Sequence, residues 1–489
     1  MPDRSSSLLQ PAILKFWGLL SVFTGLAMIP AGLLAFIDGT RDWQGLVGTA
    51  AIAILTGHLM KTRGSRSADL RSQDAYLMVS GAWLLAILWG ALVYIACDVF
   101  VSPVAAIFES TSGFTTTGST AIADIEVLPR GILLWRSTTQ WLGGMGIIVL
   151  AVAILPALGI GGLQLMDAEV PGLAVERLRP RLATTARLLW SVYALITLAQ
   201  VLCLWRFGLG MSLFDAVNHA FTTMATGGFS TRNASMMAFS PLDQWITGCF
   251  IFLAGCNFTL HYRALAGRPL AYFHDEEFRL FARMIGILTL AVAALLVVDG
   301  RGLEPGLRHA FFQTVSLVTT TGFVSDNYDN WPALAIVLVW IKLFVGGCSG
   351  STAGGIKQVR LLCLWKAGLR EIRQYAHPRA VLLIKLNGRV LPTEAVLSVM
   401  GFVALYLFLY LGGAVLLALG GLDFVTALGS SAASISNVGP GLGTLGAVGN
   451  YASTNFAVQI VSSVLMLIGR LELMTILVAI ALILRRRAN

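Results

Sequence analysis

Charge is scarce in this chain. Only 12% of its 489 residues are Asp, Glu, Lys or Arg, against roughly 25% in an ordinary soluble domain. By contrast, 56% are hydrophobic and the mean hydropathy is +0.77. So little charge cannot clothe a water-facing surface. A soluble enzyme is therefore excluded, and an all-α polytopic membrane protein is expected. Cysteine is sparse as well. The six residues Cys97, Cys203, Cys249, Cys256, Cys348 and Cys363 show neither CxxC nor metal-ligand spacing. Most fall in apolar runs, which argues against a disulfide framework or a zinc site. No HExxH, nucleophile elbow or pair of catalytic carboxylates is present, so no enzyme activity is expected. With no soluble domain to carry it, nucleic-acid binding is not expected either. The first ten residues are short and polar rather than a cleavable leader, and the first apolar run is long enough to be a span.

The charge that is present is ordered. Most of the 34 basic residues fall in alternate connecting segments: Arg4 and Lys15, Lys61 to Arg71, Arg177 to Arg187, Arg263 to Arg283, Lys357 to Arg389, and Arg485 to Arg487. The intervening segments carry Asp38, Asp98, Asp124, Glu126, Asp299, Asp326 and Asp329. Basic loops stay inside, which places both termini in the cytoplasm. The acidic outer face would concentrate cations.

Along the chain, residues 1–70 read as a hairpin of two apolar spans near 16–37 and 45–60, and four units follow at 71–180, 181–275, 276–390 and 391–489. Each unit reads as a span, a short semi-polar segment, a glycine-containing loop and a second span. That makes ten spans in all. The short segments, near 103–113, 212–224, 304–318 and 423–435, fall well below the ~20 residues a crossing needs. They fit re-entrant half-helices.

The loops after these segments carry the functional signal. TTTG, MATG, TTTG and SNVG end on Gly118, Gly227, Gly322 and Gly439, and nine residues before each glycine stand Glu109, Asn218, Gln313 and Ser430. Polar, irregular backbone is tolerated at membrane depth only where it is packed in protein or lines a water-filled path. Helix C-termini aimed at such loops present partial negative charge to a cation. Four copies in register predict a pore around an axis, with carbonyls replacing an ion's hydration shell. The expected cation positions are Thr116, Thr117, Gly118, Thr226, Gly227, Thr320, Thr321, Gly322, Asn437, Val438 and Gly439. The fourth loop has Asn437 and Val438 where the first and third have threonines, so the ring is expected to be uneven.

Two further features point to a gate. Gly346, Gly347, Gly350, Gly354 and Gly355, with Ser351 and Thr352, interrupt the second span of the third unit. Each glycine costs about 1 kcal/mol in a helix interior relative to alanine, so a broken, mobile loop is favoured over small-residue packing. GSTAGGIK within it imitates a phosphate-binding loop, but an isoleucine precedes the lysine and no strand precedes the loop. Arg470 lies in the last span, where a charge is costly. It either caps carbonyls of the broken loop or repels cations below the filter. Lys342 also lies in a span and either snorkels or braces the pore.

The strings ESTSGFTTTGST (109–120), FTTMATGGFST (221–231), SLVTTTGFVSDN (316–327), GGCSGSTAGGIKQVR (346–360) and SNVGPGLG (436–443) resemble the pore-forming subunits of the Trk/Ktr/HKT superfamily of potassium transporters, TrkH type. The initial hairpin is similar to the extra pair of spans of that type. The resemblance implies four membrane–pore-loop–membrane repeats around a pseudo-fourfold pore, a homodimer in the lipid of a bacterial inner membrane, and potassium as the transported ligand with no organic cofactor in this chain. It implies that glycine at 118, rather than serine, favours potassium over sodium. It further implies a gating loop at 346–355, an arginine matched by Arg470, and a cytosolic TrkA-type ring that binds NAD or ATP and docks on the basic inner loops. The alternative is a proton- or sodium-coupled transporter, whose relay would have to use Glu472, His219 or Glu109.

Overall fold

A computed structural model describes residues 11–64, 72–146 and 182–488 of the chain. The expected inner basic residues Arg4, Arg66, Arg71, Arg177, Arg179 and Arg181, and the distal part of the first unit's second span, lie outside those residues.

The chain opens with helices α1 (Pro11–Ile37) and α2 (Asp42–Arg63). Gly18 and Gly57 face each other so closely that a Cβ on either would lie 2.5 Å from the other's carbonyl oxygen. Small residues of this kind let two membrane helices approach backbone to backbone. The pair is joined to α3 (Ser72–Ala96) by two indole donors, Trp17 to the Met78 carbonyl at 2.9 Å and Trp89 to Ser21 Oγ at 3.0 Å.

Four short helices follow at intervals. They are α4 (Pro103–Phe114), α7 (Leu213–Met224), α12 (Leu303–Val318) and α16 (Phe424–Ser436). Their starts are written in the sequence. Pro103 occupies the first turn of α4, Ser212 Oγ accepts from the Asp215 amide, and Asp423 accepts from the Val425 and Thr426 amides. Each is preceded by a long apolar helix: α3, α6 (Leu182–Phe207), α11 (Glu276–Val298) and α15 (Thr393–Leu419).

The second helices depart from expectation in the second and fourth units, whereas the third unit's interruption at the glycine-rich loop was expected. α5 (Arg130–Trp141) passes into a π-helical turn at Leu142–Gly146. α8 (Pro241–Ala254) stops at Gly255, and the chain resumes as α9 (Phe258–Leu265) behind an Asn257 cap. A four-residue α10 (Ala271–His274) leads into α11. α13 (Ala333–Lys342) ends at the glycine-rich loop, and α14 (Gln358–Ala376) begins beyond it. A two-stranded hairpin, β1 (Lys385–Leu386) with β2 (Arg389–Val390), precedes α15. α17 (Phe456–Arg470) and α18 (Met474–Ala488) are separated by a break of 107°.

Ten continuous spans are therefore not what the described residues show. Six helices are long and apolar enough to cross a membrane, or seven if the bent pair counts as one. The second spans expected of the second and fourth units are broken ones. Hydropathy averages over a break, because Gly255 or Leu471 does not change the mean polarity of a window. The breaks are nonetheless brought together. The Cys348 amide bonds the Gly255 carbonyl at 2.9 Å, and Arg470 bonds the carbonyls of Gly143, Gly144 and Thr352.

Candidate functional site

The four short helices end in one geometry. The amides of Thr116 and Thr117 turn back to the carbonyls of Gly113 and Ser112, at 3.0 and 2.9 Å. Thr226 and Gly227 bond Thr223 and Thr222 in the same way, Thr320 and Thr321 bond Leu317 and Ser316, and Asn437 and Val438 bond Ser434 and Ala433. This is the helix-ending motif that places one residue in the left-handed region. That residue is Thr116 (φ 53°), Thr226 (51°), Thr320 (57°) or Asn437 (58°). Glycine or asparagine is usual there, and a β-branched residue is strained by about 1–3 kcal/mol. Three strained threonines at equivalent positions mark a conformation held for use.

Two residues on, each loop has a second left-handed residue, and here it is glycine: Gly118, Gly228, Gly322 and Gly439. The four close a ring. A Cβ on Gly118 would overlap the Gly227 carbonyl oxygen, and one on Gly228 the Thr321 oxygen. One on Gly322 would overlap the Val438 oxygen, and one on Gly439 would lie 2.5 Å from the Thr117 oxygen. Each loop thus lays its backbone against the equivalent carbonyl of the next. Two side-chain bonds fasten the seam between fourth and first, Asn437 Nδ2 to Thr117 Oγ1 at 3.0 Å and Ser119 Oγ to the Gly439 carbonyl at 3.1 Å.

This geometry corrects the register of the second loop. Gly227, paired from the sequence with Gly118, is equivalent to Thr117, Thr321 and Val438, and Gly228 is the counterpart of Gly118. Nine residues earlier the matching position is then His219 rather than Asn218. The slip arose because Gly227 and Gly228 are adjacent, and spacing cannot tell which one carries the left-handed φ.

Behind the ring most of the polar positions are engaged. Glu109 accepts from Arg136 Nε at 2.9 Å, from the Ala121 amide at 2.8 Å and from Thr120 Oγ1. Gln313 Oε1 accepts from the Ser325 amide at 2.9 Å. His219 shares hydrogen bonds with the Asp215 carbonyl and Ser230 Oγ at 2.8 and 2.9 Å. Asn218 bonds only its own helix, at the Phe214 carbonyl, and Ser430 is fully buried. Lys342 braces rather than snorkels: its buried ammonium donates to Thr314 Oγ1 at 3.0 Å, on α12.

The Glu109–Arg136 pair is buried on both sides, 0% and 1% exposed. Removing one member of such a pair strands the other charge and costs about 3–5 kcal/mol. Glu109→Ala is therefore expected to lower the thermal unfolding temperature in detergent steeply, and Glu109→Ala with Arg136→Met by much less. Equal losses in the two variants would show that the stranded charge is not the cause.

The glycine-rich segment is an ordered loop against the underside of the ring. It is pinned at its ends by the Gly346 amide to the Ile356 carbonyl and by the Gln358 amide to the Gly347 carbonyl, at 2.9 and 3.1 Å. Gly350 offers its carbonyl to the Phe258 amide. Ser351 Oγ donates to the Cys348 carbonyl at 2.6 Å, and Thr352 Oγ1 to the Met224 carbonyl at 3.0 Å. The Gly354 amide donates to Thr320 Oγ1 at 2.6 Å, and a Cβ on Gly354 would overlap the Ser436 carbonyl. Gly355 has φ 64°, and a Cβ there would lie 3.1 Å from the Gly346 nitrogen.

Arg470 ends α17 and donates to Thr352 O at 2.8 Å, Gly143 O at 2.6 Å and Gly144 O at 3.0 Å. The carbonyl-capping geometry expected as one reading is therefore present. Glu472 pairs with Arg360 instead, whose guanidinium also lies 3.8 Å from the centre of the Phe402 ring.

Sequence reasoning missed Arg136, Gln140, Gly228 and the cross-loop role of Asn437. Arg136 and Gln140 sit one helical turn apart on α5, a signal available from the i,i+4 spacing of two polar residues in a span.

The sequence model of TrkH, a cation transport protein, matches residues 44–489. The Trk system potassium uptake protein TrkH of Salmonella typhimurium is 42% identical over 480 residues, 96% of this chain and 97% of that protein. Its namesake from Halomonas elongata is 39% identical over 473 residues, 95% and 97% of the two chains. The crystal structure of the potassium transporter TrkH from Vibrio parahaemolyticus superposes with a TM-score of 0.86 at 37% identity, covering 96% of this chain and 97% of that one. These relatives are transport proteins and not enzymes. With a family match over residues 44–489 and relatives 39–42% identical along nearly the whole chain, the chain belongs to the TrkH family of cation transport proteins.

Proposed function

We propose that this protein takes up potassium across a bacterial inner membrane through a pore whose selectivity filter is the ring of four loops. The observation that carries this reading is the closed ring, in which each loop's glycine lies against the equivalent carbonyl of its neighbour. Four carbonyls held by neighbouring backbone can replace a cation's hydration shell at fixed geometry. The relatives' names, Trk system potassium uptake proteins, support potassium as the cargo. In this reading Thr116 to Gly118, Thr226 to Gly228, Thr320 to Gly322 and Asn437 to Gly439 bind the ion, chiefly through main-chain oxygens. The repeats of 71–180, 181–275, 276–390 and 391–489, behind the hairpin of 1–70, each supply one quarter.

The loop from Gly346 to Gly355 and Arg470 form the gate. A loop bonded to Thr320 above and Arg470 beside it cannot shift without breaking those contacts. A homodimer and a cytosolic TrkA-type ring responding to NAD or ATP belong to the same reading. The ring would dock on basic inner segments such as α14, which carries Arg370 and Arg373. Proton coupling is less well supported, since its carboxylate candidates are occupied, Glu109 by Arg136 and Glu472 by Arg360.

Flux measured in proteoliposomes, with potassium and sodium compared, tests the proposal. Potassium is expected to move down its gradient with a clear excess over sodium and no fixed proton stoichiometry. A strict proton-to-ion ratio would instead establish the coupled transporter.

A further inference from the structure

The four loops are not braced alike. In the first, Thr117 Oγ1 shares a hydrogen bond with Thr115 Oγ1 at 2.8 Å, and Thr115 donates to the Thr111 carbonyl at 2.6 Å. The third repeats this, with Thr321 and Thr319 at 2.8 Å and Thr319 bonded to the Val315 carbonyl at 2.7 Å. In the fourth, Ser436 Oγ meets Tyr406 Oη at 2.5 Å and Asn437 Nδ2 donates to the Met466 carbonyl at 2.8 Å. The second loop has Ala225 and Gly227 at the positions of the threonine pair, so it cannot build that brace.

Gln140 stands in its place. The side chain comes from α5, in the preceding unit, and is fully buried. Nε2 donates to the Gly227 carbonyl at 2.6 Å, and Oε1 accepts from the Phe229 amide at 3.0 Å. The amide therefore grips the loop on both sides of Gly228. It also explains the glycine at 227, whose φ is not left-handed. A Cβ there would lie 2.5 Å from Gln140 Oε1 and 2.9 Å from Nε2. Gly227 is small to admit the glutamine, whereas Gly228 is small to admit the next loop.

We propose that Gln140 is a positioning residue for ion discrimination: it holds the Gly227 carbonyl, the second loop's contribution to the ring, in the one loop of the three that lacks the threonine pair tying the first and third back to their helices. This rests on the ring being the filter. The bond also draws on the carbonyl that faces Gly118, so the second quarter of the ring offers an ion a weaker, more tightly tethered oxygen than the others.

Gln140→Ala is expected to lower the potassium-over-sodium flux ratio about fivefold in proteoliposomes, a quantity independent of how many molecules are folded. Gln140→Met keeps the volume, loses both hydrogen bonds and carries the same test if the alanine variant does not fold. Gly227→Thr alone is expected to abolish uptake because the side chain has no room. Gln140→Ala with Gly227→Thr is expected to regain it, since the first and third loops already carry threonine there. Gly118→Ser is run in parallel. If that variant shifts the ratio and both Gln140 variants leave it unchanged, the role of Gln140 is overturned while the filter stands. If none of them shifts it, the filter reading falls as well. Failure of the double variant to improve on Gly227→Thr would overturn the steric account.

Discussion

Gly118→Ser is expected to reduce the potassium-over-sodium flux ratio by about tenfold or more, equivalent to roughly 1.4 kcal/mol of differential binding. Two effects combine. Gly118 has φ 89°, which costs an L side chain about 1–2 kcal/mol. More important, the new Cβ would overlap the Gly227 carbonyl oxygen. Either the first loop withdraws or the second loop's oxygen is pushed away, and the ring loses its shape at one seam. Gly322→Ser should act alike, because its Cβ would overlap the Val438 oxygen. Gly39 provides the comparison. It has φ 71° in the turn of the hairpin but open space around it. Gly39→Ser carries the backbone cost alone and should leave the ratio unchanged. A Gly118 variant with the wild-type ratio would mean that the first loop does not discriminate.

Arg470→Ala is expected to raise potassium flux about tenfold. A unit charge about 5 Å from a passing cation, at an effective dielectric near 20, repels it by roughly 3 kcal/mol, and water admitted beside it reduces that. The same guanidinium donates to Thr352 O and to Gly143 O and Gly144 O, so it joins the glycine-rich loop to the π-helical turn after α5. Its removal should lower the barrier and loosen the loop together. Arg470→Lys separates the two contributions. Lysine keeps the charge but cannot span three carbonyls as a planar fork does. Low flux with lysine assigns the barrier to charge, and high flux assigns it to the pinning of the loop. Flux unchanged or reduced in the alanine variant, with equal amounts of folded protein, would remove Arg470 from the gate.

The sites of these two variants differ in how plainly they were written. Gly118 was legible because TTTG recurs at Gly322 with flanking polar residues in register. The second loop was misread by one residue because hydrogen-bond register, not spacing, decides which of Gly227 and Gly228 is left-handed. Arg470 announced itself by its cost in an apolar segment. Its three carbonyl partners belong to segments 118 and over 300 residues away, beyond the reach of any local pattern. Gln140 was passed over for the converse reason: a single uncharged amide in a helix has many bland explanations, and its meaning lies in the two loop atoms it touches.

Composition and periodicity by themselves determined a membrane-spanning helical chain, its initial hairpin, four short half-helices and the glycine loops that follow them. Those properties are local, set by the apolar content of a window, by caps such as Ser212 and Asp423, and by glycine where φ is positive. Only the tertiary structure decided that the second helices of the second and fourth units are broken, that Arg470 bonds the carbonyls of Gly143, Gly144 and Thr352, and that the four loops close into one ring. Such features depend on backbone carbonyls of distant segments meeting at van der Waals distance, and a carbonyl carries no side-chain identity for a sequence to display.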